Sequence, residues 1–367
     1  MTTDSTAPHD PVDILLVGLG SIGTVYALLL EKSGRARVSA VARSNYELYS
    51  TTGVRIDSDA LGVIEGWKPY RVFKSQEDAL ADGTRYELGL LATKALPDIT
   101  RSSDLLAPAL ASGQVAAWAL IQNGLGVEAD LAAALKATQT PLVSSVAWIG
   151  STTSDRGALV TWRNKDTLVA GVYPPTASPS AAEAAALELW TGLLKDGGSN
   201  ASATDNIDAV RFGKNVWNAV WSSFQGLVGT PTPGLSQFSP EDLAPLRAFA
   251  REVIAVGYGS GLLVPGAPAY PFGGVIGSVD ETLATVFDGV INRPVGPRGG
   301  YKMSLLVDVE NRRPIEVEVI TGAVLRLARE HGIDTPLLAY TYSLLRGVQN
   351  GILAERKQRE EAGEAKA

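Results

Sequence analysis

Apolar positions fall into two regimes along the chain. Up to about residue 175 they come as short blocks between turn signals. Residues 13–18, DILLVG, are an apolar run after the opening Asp13. Strands buried on both faces of a parallel sheet read this way, because neither face meets water. The run passes into GLGSIG, and the stretch after it, TVYALLLEKSG, has helical spacing closed by Gly34. ARVSAVAR follows as a second strand. YELGLLATKA (86–95), GQVAAWALIQNG (113–124), TPLVSSVAWIG (140–150) and GALVTWRNKDTLVAGV (157–172) continue the rhythm, the last two as an antiparallel extension. SAAEAAALELWTGLL (180–194) reads as a helix. From about residue 205 the spacing lengthens to the helical period. The stretches are RFGKNVWNAVWSSFQGLVG, LAPLRAFAREVIAVGYGSG, VDETLATVFDGVI, PIEVEVITGAVLRLAREHG and LLAYTYSLLRGVQNGILAER. Ser239, Pro240, Glu241 and Asp242 supply a cap, a first-turn proline and acids for the second of these. Segments 229–237 and 262–278 have no period, and the latter is long enough to serve as a lid or linker.

This pattern predicts an α/β chain: an N-terminal Rossmann dinucleotide-binding domain over 11–200, then an all-helical domain over 205–355. Residues 1–10 and 356–367 read as flexible tails. A cleft between the domains is the expected ligand site.

The glycine loop carries the first chemistry. Gly18 permits the tight turn, Gly20 lets the backbone approach a pyrophosphate, and Gly23 lets the helix pack on the strand. Leu19, Ser21 and Ile22 complete a loop whose N–H groups sit at the positive end of the helix. Alone the glycine spacing is weak evidence. Between a strand and a helix, with a second strand following, it is specific. Twenty residues beyond Gly23 stands Arg43, and no carboxylate appears until Glu47. A guanidinium fork suits a ribose 2′-phosphate, so the expected cofactor is NADP(H) rather than NAD. Lys94 and Asn123 end strands, where open parallel sheets bind ligands. A solvated lysine and an Asn-Gly turn account for them equally well from spacing alone.

Composition narrows the choices. The 367 residues are 45% hydrophobic and 19% charged, enough for two domains with real cores. The net charge of −7 argues against a nucleic-acid or anionic-membrane surface. No run of apolar residues reaches membrane-spanning length, and MTTDSTAPHD has no secretory pattern, which suggests a cytoplasmic protein. The absence of cysteine removes thiol nucleophiles, disulfides and Cys–Zn sites. Of the two histidines, His9 lies in the polar tail and His331 precedes a glycine at a helix end. Proton transfer therefore falls to lysine, carboxylates, tyrosine, serine or a cofactor.

Lys214 sits inside an apolar, tryptophan-rich helical stretch, with Asn218 one turn on. Periodicity alone favours a lysine snorkelling from an amphipathic helix. The ordered set GLGSIG, TKA, IQNGLG, Lys214-x-x-x-Asn218, Ser304 to Asp308, RPIE and REHGIDTP resembles the ketopantoate reductase (2-dehydropantoate 2-reductase) family over residues 13–347. The resemblance implies a helical domain like the C-terminal one of 6-phosphogluconate dehydrogenase. It implies NADPH-dependent reduction of a 2-keto acid in pantothenate biosynthesis, with Lys214 and Glu316 as catalytic residues. Asn123, Asn218, Ser222 and Ser304 would bind substrate. Gly18 to Gly23, Arg43, Lys94 and Asn123 would bind cofactor, and a homodimer is the candidate assembly. A helix start for Glu316 and a helix cap for Ser304 are the ordinary roles for such residues. The chain departs from the family at Ser222, where an asparagine is usual, at Thr321-Gly322, in a longer loop before Ser304, and in the bulk of Trp217 and Trp221. These departures motivate a changed substrate: another 2-keto acid, a bulkier or aromatic ketone, or an imine. A non-catalytic NADP(H) sensor is the alternative from a different class.

Overall fold

The computed structural model describes residues 10–231, 238–268, 275–291 and 302–362. His9, most of segment 229–237, the middle of segment 262–278 and the outermost tail residues lie outside them. By backbone contacts the chain divides into two compact units. The first comprises residues 1–94, 102–122 and 128–207, and the second 95–101, 123–127 and 208–367. Asn123, which sequence position alone assigns to the first domain, thus belongs with the second.

The first unit is built on one sheet. Its strands are β1 (Val12–Val17), β2 (Ala36–Val41), β3 (Val54–Ser58), β4 (Gly62–Trp67), β5 (Arg71–Phe73), β6 (Leu88–Leu91), β7 (Trp118–Leu120), β8 (Leu142–Ser154), β9 (Leu159–Val172) and β10 (Asn200–Ala203). Their order is β4-β3-β9-β8-β7-β6-β1-β2-β5, with β10 on β9. The run β8-β7-β6-β1-β2-β5 is parallel throughout. Its central strands are buried on both faces, as their apolar sequences require. β8 and β9 pair antiparallel, as expected for 140–172. β3, β4 and β5 lie in a stretch where the apolar pattern assigns no element. β4 is mostly exposed, so no alternation marks it.

Helix Ser21–Lys32 follows the glycine loop, and Gly34 takes a left-handed φ of 71° just beyond it. Helix Ala181–Asp196 opens on a reciprocal cap between Ser180 and Glu183. The core on one face of the sheet gathers residues of β1, β2 and both helices around Tyr26 and Trp190.

The second unit is helical. The lysine stretch forms helix Ile207–Trp217, a π turn over Asn218–Ser222 and helix Ser223–Val228. Helix Pro240–Gly259 begins with the Ser239–Asp242 capping box. The stretch expected as one helix after Pro314 is a π turn, Glu318–Gly322, continued by helix Ala323–Glu330. His331 caps that helix and Gly332 is left-handed, with φ 65°. The last helix, Pro336–Glu361, carries regular structure six residues into the segment expected as a tail. Among the described residues no helix is long and apolar enough to cross a membrane.

Candidate active site

In the first unit the loop glycines are fixed by sterics. Gly18 has φ 106°, and a Cβ there would stand 2.7 Å from the Thr93 nitrogen. At Gly23 a Cβ would meet the Gly18 carbonyl oxygen at 2.0 Å. Gly20 differs, since a Cβ there would meet nothing within 4 Å. Gly18 and Gly23 thus answer to the fold, and Gly20 faces open space where a ligand can approach. No side chain caps the helix that begins at Ser21, so its first N–H groups are available to an anion. Leu19 is buried in the core and Ile22 packs against it. Only the backbone of Leu19 could meet a cofactor, whereas Ile22 is half-buried. The Ser21 hydroxyl donates to the Ser151 carbonyl at 3.3 Å. Arg43 stands exposed two residues past β2, and Lys94 stands exposed past β6. Both occupy the carboxyl ends of parallel strands. The open space at Gly20 and the uncapped start of the Ser21 helix fit the pyrophosphate of a dinucleotide.

The second unit brings together most of the proton-transfer candidates. The Lys214 ammonium donates to Asn123 Oδ1 at 2.7 Å. Asn123 stands in a turn held from two sides. Arg211 Nη1 donates to the Gly124 carbonyl at 3.1 Å, and Leu125 N–H donates to the Val319 carbonyl at 2.8 Å. Gly124 has φ 96°, and a Cβ there would lie 2.5 Å from Val319 Cβ. The lysine helix is tied to the same π turn by Asn215 Nδ2, which donates to the Ile320 carbonyl at 2.8 Å.

Burial pushes the Lys214 ammonium down from 10.5 to about 7. The nearby charge of Arg211 lowers it further, and the charge of Glu316 opposes the fall. The residue therefore exchanges its proton near neutrality.

Glu316 is 9% exposed, and its Oε1 accepts from the Ala95 N–H at 3.0 Å. It stands just ahead of the helical segment that begins at Val317. Glu318, two residues on, is engaged by Arg326, Arg346 and Tyr342. A small pocket, partly open to solvent, is lined by Asn218, Ser222, Ser304, Leu305, Asp308, Glu316 and Ile320. Two of its walls are the π turns, whose extra residue re-aims side chains that a regular helix would place elsewhere. Ser304 is the first residue of helix Ser304–Glu310, and Met303 holds the cap position, so Ser304 is not a helix cap. The Ser222 hydroxyl is buried without a hydrogen-bond partner among the described residues.

Trp221 belongs to the core. It is 1% exposed, stacks on Phe287 at 5.1 Å and donates from Nε1 to the Val286 carbonyl at 3.0 Å. Trp217 packs beside it, with ring centroids 6.3 Å apart. Sequence reasoning did not reach Arg211, and it quoted Asp308 only as the end of a motif, without a role. The signal was there, because Arg211 is three residues from Lys214 on one helix face and Asp308 is one turn from Ser304. Among the described residues no group of three or more metal-ligating side chains is assembled.

A Rossmann unit with an open glycine loop, joined in one chain to a helical unit bearing a neutral-range lysine and a polar pocket, defines a class of nicotinamide-dependent oxidoreductases acting on CH–OH groups. Residues 14–175 match the family described as Ketopantoate reductase PanE/ApbA, and residues 206–349 match its C-terminal part. The chain belongs to the ketopantoate reductase family. It is similar to 2-dehydropantoate 2-reductase of Mycobacterium tuberculosis, at 24% identity over 92% of this chain and 98% of the relative. The crystal structure of 2-dehydropantoate 2-reductase from Methylococcus capsulatus superposes with a TM-score of 0.73 at 28% identity, covering 93% and 98% of the two chains. A ternary structure of D-mandelate dehydrogenase with NADH and anilino(oxo)acetate shares the fold, with a TM-score of 0.73 at 16% identity over 93% and 99%.

Proposed function

We propose that the protein reduces a 2-keto acid to the 2-hydroxy acid with NADPH, with 2-dehydropantoate as the first substrate to test. The observation that carries this reading is the Lys214 ammonium, 2.7 Å from Asn123 Oδ1 and held near a neutral pKa. The cofactor, when bound, supplies the hydride that the carbonyl carbon accepts. Lys214 stabilises the charge growing on the carbonyl oxygen and then gives it a proton. Asn123 orients the ammonium. Glu316 balances its charge and accepts a hydrogen bond from the new hydroxyl. Asn218, Ser222 and Ser304 hold the rest of the substrate. Arg43 selects the 2′-phosphate, with Lys94 beside the adenosine end. The proposal includes a homodimer working in the cytoplasm in pantothenate biosynthesis.

A sensor that only bound the cofactor would have no use for a lysine of neutral-range pKa and a buried carboxylate. A second reading keeps the reaction and changes the ketone. It is favoured by the buried Ser222 hydroxyl, which leaves more room than the usual asparagine and still offers a hydrogen bond. Because Trp221 is core, it lends no support to a bulkier substrate. NADPH oxidation over a panel of 2-keto acids, aromatic ketones and imines tests both readings. Turnover confined to imines would overturn the keto-acid assignment, and binding without turnover on any of them would restore the sensor.

A further inference from the structure

Arg211 is 3% exposed, on the same helix as Lys214 and three residues before it. Guanidinium groups are seldom buried this far without a task. Its task here is visible in the turn that supports the lysine. Arg211 Nη1 donates to the Gly124 carbonyl at 3.1 Å, and the residue before Gly124 is Asn123, whose Oδ1 receives the Lys214 ammonium at 2.7 Å. The other side of the turn rests on Val319, too close to admit a side chain at Gly124. Arginine, turn, asparagine and lysine thus form a closed loop that begins and ends on one helix. We propose that Arg211 is a positioning residue. Its buried guanidinium fixes the Asn123–Gly124 turn and so holds the Lys214 ammonium where proton transfer requires it.

The inference deepens the reduction proposed above and adds an electrostatic role. Among the charged groups acting on Lys214 are Arg211 from its own helix and Glu316 from the segment ahead of the Glu318–Gly322 π turn. Arg211 disfavours the ammonium and Glu316 favours it. Removing the guanidinium therefore loosens the turn and makes Lys214 a weaker acid.

The test compares Arg211→Met and Arg211→Lys with wild type. Reduction of 2-dehydropantoate by NADPH is followed across pH, and NADPH affinity by fluorescence. The lysine itself is titrated by NMR after reductive ¹³C-methylation, with Lys214→Ala identifying its signal. Arg211→Met is expected to lower kcat about tenfold or more, with NADPH affinity unchanged. It should move both the falling limb of the pH profile and the Lys214 signal upward by roughly one pH unit. Arg211→Lys, which keeps the charge, should return both to the wild-type position and restore part of kcat. If Arg211→Met does not fold, Arg211→Gln reads the loss of charge through the Lys214 titration, and the kcat of Arg211→Lys, which keeps the charge but not the guanidinium, reads the positioning. An unmoved Lys214 titration with kcat within about twofold of wild type would overturn the inference, as would a loss of activity that tracks thermal stability alone. If wild type reduces no 2-keto acid, the reduction fails as a reading, and the NMR titration still decides on Arg211.

Discussion

Raising the pH through neutrality should take the proton from Lys214 and, with it, the reduction. Burial and the Arg211 charge bring this lysine from 10.5 to about 7. A fall of that size corresponds to roughly 5 kcal/mol against the charged form as an upper bound. The real figure is smaller, since the side chain keeps some contact with solvent that screens the charge. The proton donor must carry its proton when the hydride arrives. The kcat for ketone reduction should therefore be level below about pH 7 and fall about tenfold per pH unit above it. Oxidation of the hydroxy acid needs the free amine and should rise through the same point. Stability should carry the same signature. Between about pH 7 and pH 10 the unfolded lysine holds a proton that the folded one has released, so this group makes the fold more stable as pH rises. Steady-state rates in both directions over about pH 6 to 9.5, with urea midpoints at three pH values across that range, measure all of this. Turnover flat across the range, with chemistry shown to be rate-limiting by a primary deuterium effect from labelled NADPH, would refute the reasoning.

Other perturbations separate the parts. Gly124→Ala forces a Cβ to within 2.5 Å of Val319 at a φ of 96°, and should destabilise the protein by about 2–4 kcal/mol by denaturant titration while lowering kcat through Asn123. Glu316→Gln keeps size and a hydrogen-bonding oxygen but removes the charge, so Lys214 should titrate lower and the reduction limb shift to more acid pH. Arg43→Ala should raise KM for NADPH by roughly tenfold or more and leave KM for NADH nearly unchanged, reading the loss of a charge-assisted contact. Ser180→Ala removes a reciprocal helix cap, should lower stability by about 1 kcal/mol in thermal denaturation, and should leave turnover unchanged.

The parallel sheet was legible because buried strands announce themselves. ILLV (14–17) and LGLL are apolar on both faces, and a glycine loop of this spacing between strand and helix rarely serves anything but a dinucleotide. β4 and β5 were not legible because exposed or half-buried strands show no clean alternation, and β3 alternates, with Val54 and Ile56 inward, over only five residues. The helical unit was legible as helices, but its π turns were not. Asn218–Ser222 and Glu318–Gly322 lie inside stretches whose spacing fits an ordinary helix, and only tertiary packing selects the wider turn. The same holds for the site. Lys214 and Asn218 share a helix and could be paired by counting. Asn123 and Lys214 are 91 residues apart, and Ala95 and Glu316 are 221 apart, so no local pattern could join them. The sequence left Trp221 open between core and pocket, and the structure makes it core, because its indole finds a carbonyl partner inside the helical unit.

One proton, carried by Lys214, is central to the proposed reduction. Wild type and Lys214→Ala should be compared by stopped-flow oxidation of bound NADPH with 2-dehydropantoate and a panel of other 2-keto acids, with NADPH affinity measured separately by fluorescence. Wild type is expected to turn over at least one 2-keto acid. Lys214→Ala is expected to lose about a hundredfold or more of that rate with cofactor affinity intact. Turnover by Lys214→Ala within a few-fold of wild type on the same acid would contradict the role given to this lysine.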